Sequence, residues 1–237
     1  REGEWYASAL PRSSGSHGSI MLSMIDVTER RRAERTQRLL IGELNHRVKN
    51  TLATVQAISS QGFRHARSPQ DFQEAFTGRI QALSRAHSLL SATTWDSASL
   101  RHLVADQVAI GAIGEDRLRL SGPDIDLPPE LALRFSLILH ELATNAAKYG
   151  SLSNEAGRVD IGWEIDGSTF RMSWRETGGP EVCPPRSKGF GSTVLDTMTA
   201  SAMSGEVRID YAPQGLEWEL RCPRSALEQG AETGRFE

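Results

Sequence analysis

Glu43-Leu44-Asn45-His46-Arg47-Val48-Lys49-Asn50 is the stretch whose reading decides how the rest of the chain is organised. The spacing predicts a helix. Leu40, Leu44, Val48, Thr51, Leu52, Val55 and Ile58 recur at intervals of three and four, so one stripe faces a partner. His46 follows Leu44 by two residues, which turns it most of the way round the helix from that stripe. Its neighbours one turn away, Gly42, Glu43, Lys49 and Asn50, are all small or polar. A histidine kept for packing would sit on the apolar face; this one is expected at the surface. An exposed imidazole with a near-neutral pKa is a good nucleophile and needs no deep pocket. A lone surface histidine is usually an ordinary one, so its meaning depends on what lies downstream.

The 237 residues suffice for one large domain or two ordinary ones, and 38% hydrophobic with 24% charged residues describes a soluble globular protein. A net charge of −3 with no long basic run gives no reason to expect nucleic acid. Cys183 and Cys222 form neither a CxxC pair nor a disulfide framework, which fits a reducing, cytoplasmic setting. No apolar run approaches the ~20 residues a membrane span needs. The opening Arg1-Glu2-Gly3-Glu4 resembles neither an initiator sequence nor a signal peptide, as expected for a piece of a longer protein.

Residues 1–27 read as two strands: Trp5, Ala7 and Ala9 alternate, 13–18 is a Gly/Ser turn, and 20–27 is apolar and partly β-branched. Asp26 with Glu29 makes a start resembling a capping box. Residues 28–62 are helical in pattern without proline, polar at first. Ser68-Pro69 restarts a helix whose apolar stripe is Phe72, Phe76, Ile80, Leu83, His87 and Leu90. Two such helices joined by a short loop at 63–68 make an antiparallel hairpin. One stripe per helix is thin, so pairing of two hairpins into a homodimeric bundle is expected.

A different composition begins near Trp95. Leu100, Leu103, Val104 and Val108 mark a helix, Leu118 and Leu120 a short strand, and Pro128-Pro129 opens a long helix with Leu131, Phe135, Ile138, Leu142 and Ala146 on one face. Strict alternation on either side of Asp166-Gly167-Ser168 predicts a β-hairpin. A helix at 192–204 and strands at 207–211 and 216–222 follow, and 225–237 is a polar tail. The expected fold class is α+β: a helical hairpin, then a two-layer sandwich with helices on one face of a mixed sheet. The domain reading is 1–27, 28–93, 94–224 and the tail.

The long helix ends His140-Glu141-Leu142-Ala143-Thr144-Asn145-Ala146-Ala147-Lys148-Tyr149-Gly150. Glu141, Asn145 and Lys148 share the face opposite the apolar one. A carboxylate, a carboxamide and an ammonium in one row suit a magnesium–phosphate group, with Glu141 and Asn145 as candidate Mg²⁺ ligands. A solvated helix face would look the same in isolation. Next comes Trp174-Arg175-Glu176-Thr177-Gly178-Gly179-Pro180: a carboxylate leaving a strand can accept from an exocyclic amine such as adenine N6, with Gly178 and Gly179 letting backbone approach the base. Gly189-Phe190-Gly191-Ser192 then opens a helix whose free N–H groups suit phosphate, and Arg186 and Lys188 can reach the same anion.

With these elements in place, residues 35–223 resemble a sensor histidine kinase of the HWE family. Asn145 matches the N-box asparagine of the GHKL ATP-binding fold. Glu176 sits where the first glycine box has its acidic residue, and Gly189 and Gly191 match the second. The family's hallmark histidine and W-x-E are similar to His140, Trp174 and Glu176, and residues 43–50 to its phosphoacceptor box. The exit Asp26-Val27-Thr28-Glu29-Arg30-Arg31 resembles the end of a PAS sensor domain.

The resemblance implies ATP and Mg²⁺ as cofactors, with Tyr149, Gly178, Gly179 and Ser192 among the ATP-binding positions. It further implies autophosphorylation of His46 and transfer to an aspartate of a response regulator's receiver domain. Commoner histidine kinases carry an acidic residue directly after the histidine; here that place is Arg47. Glu43, one turn earlier, is the substitute candidate for base or orienter, with Asn50 on the same face. The rival readings are an ATPase or ATP-sensing module with His46 incidental, and a non-enzymatic adaptor for a response regulator.

Overall fold

Two units divide the chain, residues 1–57 and 58–237. The computed structural model describes residues 2–9, 20–66, 68–93, 97–110, 117–184 and 190–228, with the backbone alone described at 9, 43, 46, 47, 107–110, 190, 197, 198 and 202. In the first unit β1 (Gly3–Ala9) and β2 (Ile20–Asp26) pair antiparallel, Gly3 opposite Asp26 and Ala9 opposite Ile20. The expected turn at 13–18 lies outside the described residues. A 38-residue helix, α1 (Thr28–His65), follows directly. Its start differs from the expected box: Asp26 is the last ladder residue of β2, and its Oδ1 accepts from the Thr28 N–H at 2.9 Å and hydroxyl at 2.6 Å. Arg31 and Arg35 fasten the same turn to Glu2 at 3.0 and 2.7 Å. Within this unit Leu40, Leu44, Val48 and Leu52 are 61, 61, 49 and 61% exposed, an apolar row on the surface.

The second unit begins with the last turns of α1 and folds back through Ser68. The Ser68 hydroxyl accepts from the Asp71 N–H at 3.1 Å and Pro69 occupies the first turn, so α2 (Pro69–Ala92) starts where the sequence expects. Phe63 meets Phe72 edge-on at 6.0 Å, and Phe72 stacks on Phe76 at 5.5 Å, which closes the bend. Then come β3 (Ala98–Ser99), α3 (Leu100–Ile110), β4 (Leu118–Ser121), β5 (Asp126–Leu127) and α4 (Pro129–Lys148). A 3₁₀ turn at Ser151–Ser153 leads to β6 (Arg158–Asp166) and β7 (Thr169–Thr177). The remainder is α5 (Phe190–Thr193), a π turn (Val194–Met198), α6 (Thr199–Met203), β8 (Glu206–Ala212), β9 (Gly215–Pro223) and α7 (Ser225–Glu228). The tail expected from 225 onward therefore opens with a helical turn, anchored by buried Leu227.

The main sheet runs β4-β6-β7-β9-β8, with β4 parallel to β6 and the other pairs antiparallel. Period-two alternation decides its faces. Val159, Ile161 and Trp163 of β6, Phe170, Met172 and Trp174 of β7, and Leu216, Trp218, Leu220 and Cys222 of β9 all point inward. Trp174 stands opposite Ile161 on one side and Trp218 on the other. α4 lays Leu131, Phe135, Ile138, Leu142 and Ala146 on that face, and Phe135 meets Phe170 edge-on at 6.3 Å. The outward face carries cross-strand ion pairs, Arg171–Glu219 at 2.6 Å and Arg175–Glu217 at 2.9 Å. This is the mixed sheet with helices on one face that the alternation predicts. Phe135 is wholly buried where α4 meets the sheet, so Phe135→Ala is expected to destabilise the second unit by about 3–5 kcal/mol, measured by urea unfolding followed through tryptophan fluorescence.

Candidate active site

A cavity of about 750 Å³ opens in the second unit between the C-terminal half of α4, the ends of β7 and β8, and the start of α5. Leu195, Ile209, Tyr211 and Leu216 supply an apolar wall, and polar groups converge from α4 and β7. A few placed polar groups in an apolar cleft are what a small-molecule site needs.

β7 explains the first of those groups. Its inward positions are Phe170, Met172, Trp174 and Glu176, so the alternation that builds the core ends by burying a carboxylate, 2% exposed. A buried carboxylate demands hydrogen bonds. The Trp174 indole Nε1–H donates to Oε1 at 3.1 Å and the Ser151 N–H donates to Oε2 at 2.8 Å. Trp174 and Glu176 share a face because they are two residues apart on one strand. Gly150 and Gly215 make room: a Cβ on either would overlap Glu176, the first at Oε2 and the second at its carbonyl.

The Gly178 and Gly179 turn has a steric requirement of its own. Gly178 has φ +72°, and a Cβ there would lie 2.8 Å from the Ala156 carbonyl, while one on Gly179 would lie 2.5 Å from the Ser151 Cα. These glycines admit the 150–157 loop, which brings the Ser151 N–H to Glu176. Arg117 ties that loop down through the carbonyls of Gly157 at 2.9 Å, Ser151 at 3.4 Å, and Asn154.

On α4, Glu141, Asn145, Lys148 and Tyr149 line the cavity together, as the helical spacing predicts. The face is exposed at Lys148 and Tyr149 but not at its other end. α2 covers its upper end: Arg79 Nε donates to Glu141 Oε1 at 2.7 Å and its terminal nitrogen to Oε2 at 3.1 Å, with Arg79 8% and Glu141 5% exposed. The carboxylate placed among the metal ligands thus has both oxygens held by a guanidinium. One residue back on each helix, α2 passes so close that a Cβ on Gly78 would sit 2.9 Å from His140 Nε2. Burial there holds the His140 imidazole below its ordinary pKa of 6.5. Gly191 packs over the same face, where a Cβ would lie 2.6 Å from Glu141 Oε2 and 3.9 Å from Asn145 Nδ2. Ser192 lines the cavity beside it.

Arg186, Lys188 and Gly189 lie outside the described residues, as do the side chains of Glu43, His46 and Arg47. Positions 43, 46 and 50 are all within α1. Sequence reasoning missed Glu74, Ala75, Gly78 and Arg79, which bring α2 to the cavity. A signal for Arg79 was present. It lies three residues after Phe76 and four before Leu83, in phase with the apolar stripe, where a charge has to find a buried partner.

The two-layer sandwich thus sets a buried acceptor at the end of β7 against an acid–amide–cation row on the facing helix. Residues 43–124 match the family model of HWE histidine kinases. It is similar to a blue-light-activated histidine kinase of Brucella anthropi, 35% identical over 227 residues that cover 94% of this chain and 46% of the relative. A Brucella ovis protein described in the same words is 34% identical over the same shares. The chain thus spans less than half the length of these relatives. Among solved structures, the Erythrobacter litoralis EL346 blue-light activated histidine kinase shares the fold at TM-score 0.59 and 19% identity, over 80% of this chain and 60% of that one. Its isolated histidine kinase domain does so at 0.53 and 14%, over 77% of this chain and 100% of that one.

Two outcomes are expected from the Arg79–Glu141–His140 cluster. Arg79→Met leaves a buried carboxylate uncompensated and destabilises by about 3–5 kcal/mol, whereas Arg79→Met with Glu141→Leu recovers much of that loss in urea titrations. His140 and His87 are both held neutral by burial, so the unfolded chain takes up protons first as pH falls. Their contribution is complete above about pH 6.5 and is lost as pH drops below it. Urea unfolding between pH 7.5 and 5.5 should show this decline, and His140→Gln should reduce it.

Proposed function

We propose that this chain is the kinase portion of a sensor histidine kinase, which phosphorylates His46 from ATP and passes the phosphoryl group to an aspartate of a receiver domain. The observation that carries the nucleotide reading is the buried Glu176 carboxylate, held by two donors at the edge of an apolar cavity. Adenine fits that pairing: its ring meets Leu195, Ile209 and Leu216, and its N6 amine donates to Glu176. The phosphates lie towards Asn145, Lys148 and Ser192; the sequence adds Arg186, Lys188 and Gly189 as candidate anion partners. Asn145 offers a carbonyl oxygen to magnesium, and Lys148 offsets phosphate charge. Glu141 fits a supporting role better than a ligand's, since both its oxygens are engaged by Arg79.

Magnesium, when bound, supplies charge neutralisation and orientation of the phosphates. The chain's own part is to hold the base, exclude water and present the acceptor. A neutral His46 ring nitrogen forms a bond to the γ-phosphorus as the bond to the ADP oxygen breaks, and ADP leaves. Glu43 orients the imidazole or takes its proton, and Asn50 lies on the same face of the helix. The exposed row Leu40, Leu44, Val48 and Leu52 supports a homodimer that pairs two α1 helices. The division into a PAS-like end at 1–27, a phosphoacceptor hairpin at 28–93 and a catalytic domain at 94–224 belongs to the same proposal.

Labelling with γ-³²P-ATP tests it. Wild type is expected to acquire acid-labile, alkali-stable phosphate, and His46→Gln to lose it while ATP affinity stays within about twofold, because position 46 supplies the acceptor and no binding group. Labelling of His46→Gln at wild-type level would remove His46 as acceptor. Asn145→Ala is expected to abolish the magnesium dependence of ATP binding in calorimetry; unchanged Mg·ATP affinity would count against the N-box reading.

A further inference from the structure

We propose that Trp174 is a positioning residue that sets the purine selectivity of the site by fixing the Glu176 carboxylate through its indole N–H. The inference rests on the reading of Glu176 as acceptor for the adenine amine.

Three buried tryptophans line the inward face of the sheet, and each indole N–H has a partner. Trp163 donates to the Pro123 carbonyl at 2.7 Å and Trp218 to the Leu195 carbonyl at 2.9 Å. Both are main-chain acceptors of the kind that any buried indole finds. Trp174 differs. It donates to the one buried carboxylate that β7 turns toward the cavity, and the two-residue spacing puts donor and acceptor on the same side of one strand.

The indole is wholly buried between Ile161 and Trp218, the flanking positions on β6 and β9. A benzothiophene of the same shape would pack there equally well. What it would lack is the donor.

An ionised carboxylate has about four acceptor directions. Trp174 takes one on Oε1 and Ser151 one on Oε2, so the plane of the group is fixed at both oxygens and the remaining directions are left for a ligand. With only the Ser151 bond the group can turn about its last bond, and Oε1 becomes a buried acceptor without a partner. Adenine presents an N6 donor to a fixed acceptor. Guanine presents a carbonyl oxygen at the same place, and two acceptors face each other. Selectivity of this kind depends on the protein group being unable to rearrange. The indole supplies that constraint from inside the core, where ligand binding does not disturb it.

Competition binding of ATP and GTP to the whole chain tests this, with wild type, Trp174→Phe and Glu176→Gln measured together. Glu176→Gln reports on the acceptor itself, since an amide can rotate to donate, and it should narrow the ATP-to-GTP ratio. Trp174→Phe is expected to weaken ATP about tenfold and leave GTP within about twofold, so that the ratio falls with it. If Trp174→Phe fails to fold, replacing the Trp174 indole with its benzothiophene isostere removes the N–H at constant shape and takes its place. An unchanged ratio, or equal losses for both nucleotides, with Glu176→Gln still narrowing it, overturns the role of Trp174 and leaves the acceptor reading standing. A ratio unmoved by Glu176→Gln removes the acceptor reading, and the proposal with it.

Discussion

One buried ion pair ties α2 to α4 in the second unit. Arg79 and Glu141, each less than a tenth exposed, are joined by two hydrogen bonds between helices 62 residues apart in sequence. Neither charge can be buried there alone. Beside the pair Gly78 lies against His140, where a Cβ would come within 2.9 Å of Nε2. The polar face of α4 then becomes the wall of a cavity. A pair of this kind gives geometric definition at little net gain in stability, since a well-packed hydrophobic pair of similar volume is often as stable. Its value is the placement of Asn145 and Lys148, the next polar positions along the same helix.

Glu176 shows the same logic with uncharged donors. The Ser151 N–H reaches it only because three glycines, 157, 178 and 179, let two loops overlap, and because Arg117 holds one of them down. A carboxylate in a core is thus satisfied by one indole and by the main chain of a loop. The loop and the strand end are one object, and a substitution in either moves the other.

Much of this was legible in the sequence, and the residues say why. The alternation in β6, β7 and β9 and the three-four stripe on α4 are local patterns, so the sheet, its inward face and the row Glu141, Asn145, Lys148 could be read directly. Ser68-Pro69 likewise marks its own helix start. Less legible was everything that depends on a distant partner. Nothing near Glu141 says that an arginine on another helix will cover it. The steric requirement at Gly178 and Gly179 could not be read, because its source, the 150–157 loop, lies more than twenty residues upstream. The Asp26 start went to Thr28 because strand pairing had already claimed the Asp26 backbone.

The order of the sheet has a further consequence, for behaviour at high concentration. β8 is one edge, and its outward positions Glu206, Arg208 and Asp210 are all exposed and charged. β4, the other edge, is only four residues long. A second copy docking on β8 would bring identical rows of fixed charge together, and on β4 it would gain few ladder bonds. Both edges therefore discourage the strand-to-strand growth that leads to fibrils.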